Sequence, residues 1–152
     1  MNGENKKPPY VLEALLKKRR WDLDAASVEI ATARHAVELR AQEASRIGKS
    51  IEELEREIRE VCADGERIEP ARHEALSTYL EDRRQALIMQ IAELKKAEEE
   101  YEQTRHRLFR IKQGVMVLEK HKEGKDREHA QQALRNEQHQ ADDLWLQRRQ
   151  EE

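Results

Sequence analysis

Ala63-Asp64-Gly65-Glu66-Arg67-Ile68-Glu69-Pro70 is the stretch that decides the fold, because it holds the only clear signals after residue 10 for one helix to stop and another to start. Gly65 suits the left-handed conformation that follows a helix end. Pro70 suits the first turn of a new helix, where its missing N–H costs nothing. The stretch therefore predicts a hinge at residues 64–70 between two long helices.

The residues before the hinge carry apolar side chains at alternating spacings of three and four, which is the pattern of a coiled-coil seam. The seam covers seven heptads, and only Arg19 and Arg40 interrupt it. Its apolar positions are Leu12, Leu16, Leu23, Ala26, Ile30, Ala33, Val37, Ala44, Ile47, Ile51, Leu54, Ile58 and Val61. This regular spacing argues against disorder, the competing interpretation of a chain in which 40% of the residues are charged.

A second seam follows the hinge, through Leu76, Leu80, Leu87, Leu94, Ala97, Tyr101, Leu108, Ile111, Val115 and Leu118. The two seams are out of phase, since Val61 and Leu76 are fifteen residues apart, one more than two heptads. In a continuous helix the apolar stripe would move around the surface at this point, whereas a turn resets it. We therefore expect an all-α fold, an antiparallel two-helix coiled-coil hairpin. Its parts are a flexible leader at 1–9, helix 1 at about 10–63, the hinge at 64–70, and a longer helix 2 at about 70–150 that overhangs helix 1.

The open end of this hairpin is predicted to expose leucines. Folding the seams onto each other pairs Leu23 with about Val115, and the match lasts to about Leu118. Beyond it, the eleven residues Glu119–His129 include no apolar side chain. Three leucines of helix 1 lie opposite that stretch: Leu12, Leu15 and Leu16. They are expected to lack an intramolecular partner and to form an interaction site, unless the helices shift register or the leader covers them.

Composition and motifs argue against several function classes. The net charge is −3 with both signs interspersed, which does not favour nucleic acid or an anionic membrane as a partner. No signal peptide or membrane-spanning run is present, so we expect a cytoplasmic protein, peripheral to something in a membrane at most. With Cys62 as the only cysteine, an internal disulfide and a cysteine-based zinc site are excluded, and a free thiol is expected.

The sequence also lacks a recognisable catalytic constellation. Its five glycines form neither of the phosphate-binding motifs GxxxxGK(S/T) and GxGxxG. Its six histidines show no HExxH-type spacing for a metal site. Its carboxylates are spaced as helix-surface charges, and a helical pair offers no deep pocket to perturb a pKa. We therefore expect no enzyme activity, no cofactor and no metal.

Binding to a partner is the function that remains. Trp21 faces away from the seam beside the basic run Lys17-Lys18-Arg19-Arg20, and Trp with Arg is a favoured interface anchor. Together with the open-end leucines, these residues predict a binding surface near the chain termini.

Two segments resemble a known family. Pro9-Tyr10-Val11-Leu12-Glu13-Ala14-Leu15-Leu16-Lys17-Lys18-Arg19-Arg20 resembles the start of FliJ/YscO-type proteins, the small stalk components of flagellar and injectisome type III export ATPases. Val117-Leu118-Glu119-Lys120-His121-Lys122-Glu123 is similar to the basic and acidic segment that those proteins carry late in their second helix. Spacing and length agree over nearly the whole chain.

The resemblance implies an antiparallel coiled coil similar to that of the rotary ATPase γ subunit. Its terminal end would insert into the hexameric export ATPase and promote assembly and activity, and the chain would be a monomeric hairpin when free. The implied ATPase-binding residues are Tyr10, Leu12, Leu15, Leu16, Lys17, Lys18, Arg19, Arg20, Trp21, Lys120, Lys122 and Lys125.

The family also implies contacts with the export gate and with secretion chaperones. The implied gate-binding residues near the hinge are Leu76, Tyr79 and Leu80, although helix 1 lacks the tyrosines that some members have there. The sequence favours an injectisome over a flagellum only weakly.

Two other functions fit the pattern. One is a tip-acting factor of transcription type, which would thread the acidic hinge residues Asp64, Glu66 and Glu69 into a polymerase channel, but such factors carry a second globular domain. The other is a scaffold that forms parallel dimers along both seams, and it leaves the phase break unexplained.

Overall fold

The computed structural model describes residues 9–63 and 69–150, and of Gln150 the backbone only. It contains two helices, α1 at Glu13–Ala63 and α2 at Pro70–Gln150, and no strand among the described residues. With 51 residues in α1 and 81 in α2, their lengths are about 77 and about 120 Å at 1.5 Å per residue. The all-α fold with a longer second helix is thus confirmed.

Helix α1 begins three residues later than the predicted Tyr10. Residues 10–13 form a turn instead, in which the backbone N–H of Glu13 donates to the carbonyl of Tyr10 at 3.0 Å. The first α-helical bond follows, from the N–H of Leu16 to the carbonyl of Leu12 at 2.9 Å. Glu13 places a negative charge in the first turn, where it favours the helix dipole.

Helix α2 begins at Pro70, the residue that the sequence predicts for its first turn. The carbonyl of Glu69 accepts hydrogen bonds from the N–H groups of Arg72 and His73, at 3.0 and 3.2 Å. Gly65, with the rest of 64–68, and the leader residues 1–8 lie outside the described residues.

The chain divides into two compact units. Unit 1 comprises Met1–Ala25 and Phe109–Glu152, and unit 2 comprises Ala26–Leu108. Unit 2 contains cross-helix contacts of Glu55 with Arg84 at 2.9 Å, the Arg40 carbonyl with Gln90 at 3.4 Å, and Glu29 with Arg107. As the residue number in α1 falls, that of its partner in α2 rises, which is the order of antiparallel neighbours.

Unit 1 shows the same order. Arg20 pairs with Glu119 at 2.8 Å, and Glu13 pairs with Lys122 at 2.6 Å. In each unit, therefore, α1 and α2 run in opposite directions along their contact.

The core of each unit is the predicted seam. Every apolar seam position is buried or half-buried, whereas Arg19 and Arg40, which interrupt the α1 seam, are exposed. The most buried apolar side chains among the described residues are Leu16, which is fully buried, and Val115 in unit 1, and Ala26, Ile47 and Ile51 in unit 2. A single apolar stripe on each helix thus supplies the contact, and the remaining faces are left to solvent. Among the described residues, no helix has the length and apolar character needed to cross a membrane.

Candidate functional site

Tyr10 attaches the start of α1 to α2. Its hydroxyl lies 2.8 Å from Nδ1 of His121 and donates to the carbonyl oxygen of Leu118 at 3.4 Å. Because a hydroxyl has one proton, the His121 ring nitrogen is the donor when the hydroxyl bonds to Leu118. The two rings are 5.7 Å apart between centroids. A residue predicted to bind the ATPase is thus already engaged within the chain.

An ion pair reinforces this attachment. Nζ of Lys122 donates to Oε2 of Glu13 at 2.6 Å and lies 5.9 Å from the centre of the Tyr10 ring. The hydrogen bond from Lys122 lowers the pKa of the Glu13 carboxyl below its ordinary value. Two turns further along α1, Arg20 holds Glu119 with two of its nitrogens, at 2.8 and 3.3 Å. Two of the predicted ATPase-binding cations therefore neutralise carboxylates of the same chain.

The prediction that the open-end leucines lack an intramolecular partner is wrong for Leu16. Its side chain is 0% exposed, Leu12 is half-buried, and Leu15 retains 41% exposure. Of the three, Leu15 presents the most apolar surface to a partner, and Leu16 presents none.

The turn before α1 departs from the predicted pairing, whereas the helix keeps close to it. Arg20 pairs with Glu119, within one position of the predicted register. Tyr10, in the turn six residues before Leu16, meets Leu118 and His121 instead of a residue near 128. This turn thus folds back to the last apolar residue of the α2 seam, and Leu16 is stabilised by its burial.

The basic run keeps an exposed side. Lys17, Lys18 and Arg19 are exposed and take part in no ion pair given by the described residues, although Lys17 contributes to the field that stabilises the Glu13 carboxylate. Trp21 is 73% exposed and follows Lys17 and Lys18 by four and three residues, so these three share one side of α1. Arg19 occupies a seam position on another side. The group Lys17, Lys18 and Trp21 is called the α1 basic surface below.

The lysines predicted on α2 do not act as one cluster. Lys122 is half-buried against Glu13, and Lys125 pairs with Glu128 on its own helix at 2.7 Å. Lys120 is exposed. Of these three lysines, Lys120 is thus the one that, like Lys17 and Lys18, is exposed and forms no ion pair given by the described residues.

A partly open cavity of about 270 Å³ lies beside Tyr10. It is lined by the turn before α1 and by α2, through Pro9, Tyr10, Val11, Leu12, His121, Lys125, Asp126 and His129. Its wall is mostly apolar on the α1 side and polar on the α2 side. Since Tyr10 and His121 both line it, the cavity is a surface recess at the contact between these two residues.

The predicted gate-binding residues divide between seam and surface. Leu76 and Leu80 are half-buried in the seam, while Tyr79 is exposed. The Tyr79 hydroxyl accepts hydrogen bonds from Arg83 at 2.8 and 3.0 Å, and the guanidinium lies 5.1 Å from the ring centre. Tyr79 is thus the part of this group that remains accessible.

The end of α2 extends past its contacts with α1. From residue 127 to 149 every side chain is exposed except the half-buried Ala133. Large apolar side chains remain uncovered there: Leu134, Leu144, Trp145 and Leu146. This segment, residues 127–149, is called the α2 overhang below.

In the part of the chain that the structure describes, no three His, Cys, Asp or Glu side chains are arranged to hold one metal ion. Cys62 is exposed near the end of α1, with a free thiol.

Sequence reasoning missed Glu13, Glu119 and His121 as members of this site. Each is a polar residue whose role depends on which residue of the other helix it meets, and the sequence gives no signal for that. No protein-family model matches the chain, and neither a curated protein nor a solved structure does.

Proposed function

We propose that this protein is a non-enzymatic stalk and regulator of a hexameric type III secretion ATPase. Its terminal end would enter the ring and promote assembly and activity. The observation that carries the proposal is the α1 basic surface, an exposed Trp21 beside Lys17 and Lys18, which form no ion pair within the described part of the chain. The resemblance of residues 9–20 to the start of FliJ/YscO-type proteins implies that this surface belongs to the segment that those proteins insert.

The chemistry of the surface fits an acidic, partly apolar partner. A tryptophan supplies a large contact area, and neighbouring Lys and Arg add electrostatic attraction and bidentate hydrogen bonds. Arg20 and Lys122 are committed to Glu119 and Glu13 of the same chain, so they would hold the surface in place. We assign ring contact to Lys17, Lys18 and Trp21, and a structural role to Leu16. Leu15 and Arg19, four residues apart, would extend the contact on an adjoining side of α1.

Antiparallel helices in unit 1 support this role. A stalk must transmit force without unfolding, and each helix of a pair supports the other along a continuous apolar seam. The attachment of Tyr10 to His121 and Leu118 would keep the first turn of α1 from fraying inside a ring. The protein would then act in the cytoplasm, beside the membrane-embedded secretion apparatus.

Contact with the export gate is a secondary part of the proposal. Tyr79 is its accessible candidate, because Leu76 and Leu80 are half-buried in the seam. Secretion chaperones would be further partners, for which the structure favours no particular residue.

The test is stimulation of ATP hydrolysis by a hexameric type III export ATPase from the same organism. Trp21→Ala, and separately Lys17→Glu with Lys18→Glu, should weaken the interaction about tenfold or more, since buried anchors of this kind contribute over about 1.4 kcal/mol. All three side chains are exposed, so the variants should fold.

Matched controls come from elsewhere on the chain. Phe109→Ala removes another exposed aromatic residue, and Lys95→Glu reverses another exposed lysine. Both controls should stimulate as the wild type does. Full stimulation by the Trp21 and Lys17/Lys18 variants would overturn the assignment of this surface.

The parallel-dimer scaffold would need the seam residues to be available to a second chain. Within each unit they are already buried or half-buried between α1 and α2, which disfavours the scaffold. The tip-acting factor depends on Asp64 and Glu66, which lie outside the described residues. Its remaining acidic residue, Glu69, uses its carbonyl to begin α2. Activity retained after Glu69→Gln with Asp64→Asn and Glu66→Gln would separate the stalk from a tip-acting factor.

A further inference from the structure

The α2 overhang has one face that differs from the rest of the protein. In a chain with 40% charged residues, the side of α2 between residues 130 and 148 carries only Glu137 and Arg148 as charges. Its other members are alanine, leucine, tryptophan and glutamine: Ala130, Gln131, Ala133, Leu134, Gln138, Gln140, Ala141, Leu144, Trp145 and Gln147. These positions recur at spacings of three and four, so they share one side of the helix.

This face is uncovered in the structure. Leu134 is 55% exposed and Trp145 is 59% exposed, and the α1 contacts of α2 end well before them. The opposite side of the same segment carries the charges, among them Arg135, Asp142 and Asp143. A half-apolar helix of this kind is stabilised by a partner with the same pattern.

We propose that the occupant is a second copy of this chain, with the two α2 overhangs packed antiparallel around a two-fold axis near residue 139. In that register Leu134 of each copy meets Leu144 of the other, and Ala141 makes room for Glu137. Such an interface is isologous, because the same patch serves both copies.

The glutamines argue for a like partner. At the axis, Gln138 would face Gln138 of the other copy, and Gln140 would face its own counterpart. An amide both donates and accepts hydrogen bonds, so it pairs with a copy of itself, which a charged group cannot do. Like charges would repel at these flanking positions, and none is present there.

The contact would be weak. It spans about 19 residues, or about 28 Å, which is less than the three or four heptads that usually sustain a coiled coil. Small interfaces bind weakly, so we expect a dissociation constant on the order of tens of micromolar. The expected monomer would then hold only at lower protein concentration. This inference concerns the free protein, and it stands or falls independently of the proposed stalk function.

Sedimentation of the purified full-length chain over a range of concentrations tests the proposal. Wild type should shift from monomer to dimer, and Leu144→Asp should raise the dissociation constant about tenfold or more by burying a charge. Leu146→Asp is the matched control, since Leu146 is 52% exposed but lies on the opposite side of the helix. Glu137→Leu should tighten the dimer about tenfold by completing the apolar stripe.

Crosslinking fixes the orientation. In a Cys62→Ser background, Gln138→Cys places the only thiol beside the axis, and oxidation should give a disulfide-linked dimer at high yield. His139→Cys, one residue on but on the outer side, should give little. A chain that stays monomeric even with Glu137→Leu, a dimer unaffected by Leu144→Asp, or equal crosslinking at 138 and 139 would each overturn the proposal.

Discussion

The Tyr10 hydroxyl lies 2.8 Å from Nδ1 of His121, although the two residues are 111 positions apart in the chain. Through this contact the turn before α1 is fixed to α2, next to the Glu13–Lys122 ion pair. The terminal end of the protein is thus held by specific polar groups as well as by the apolar seam.

Removing the Tyr10 hydroxyl should loosen the start of α1. Tyr10→Phe keeps the ring but loses the bonds to His121 and Leu118, which should cost about 0.5 to 1 kcal/mol. Hydrogen exchange of the backbone amides at 16–20 should accelerate accordingly. Tyr79→Phe is the control, because that hydroxyl bonds to Arg83 on its own helix. Equal effects of both variants on those amides would contradict the attachment.

The Glu13–Lys122 pair should respond to acid. Since the hydrogen bond from Lys122 lowers the folded-state pKa of Glu13 below 4.5, its contribution to stability is present above pH 4.5 and is lost as the pH falls through the lowered value. Lys122→Met keeps the stem and removes the charge, so NMR titration should show the Glu13 pKa rising. Lys120→Met should leave it unchanged, and a similar rise in that control would argue against a specific pair.

Adjacent leucines should differ in their effect on folding. Leu16 is fully buried whereas Leu15 is 41% exposed. Urea denaturation should show that Leu16→Ala lowers the free energy of unfolding by about 2 to 3 kcal/mol, and Leu15→Ala by less than about 0.5 kcal/mol. A small loss for Leu16→Ala would contradict its place in the core.

The antiparallel contact in unit 2 predicts a short distance within one chain. The half-buried Glu55 and the exposed Arg84 form an ion pair at 2.9 Å. Spin labels at 55 and 84, in a Cys62→Ser background, should therefore lie on helices about 10 Å apart. The distance should persist when labelled protein is diluted with unlabelled protein. A short distance that disappears on dilution would indicate pairing between chains, as in the parallel scaffold.

The sequence predicts the helices and their seam because both follow from local patterns. Alternating apolar spacings identify the faces that become buried, and Pro70 marks the start of α2. The helices keep close to the predicted register at the open end, since Arg20 meets Glu119. The turn that brings Tyr10 to His121 and Leu118 depends instead on a contact between residues far apart in the chain. Local patterns do not predict such a contact, and the sequence predicts an unpartnered Leu16 where the structure buries it.

Lys122 shows the same limit at the candidate site. Its charge suggests a free cation for a partner, but its apolar stem lies half-buried in the contact and its ammonium pairs with Glu13. Trp21 and its basic neighbours could be found from sequence, because an outward position on a helix stays outward in any register.

The most direct test of the stalk assignment is a titration of ATP hydrolysis by the cognate hexameric ATPase with increasing amounts of this protein. If a single chain enters the ring, stimulation should saturate at one chain per hexamer and should require Trp21. Saturation at one chain per ATPase subunit, or no change in hydrolysis at any ratio, would contradict the account.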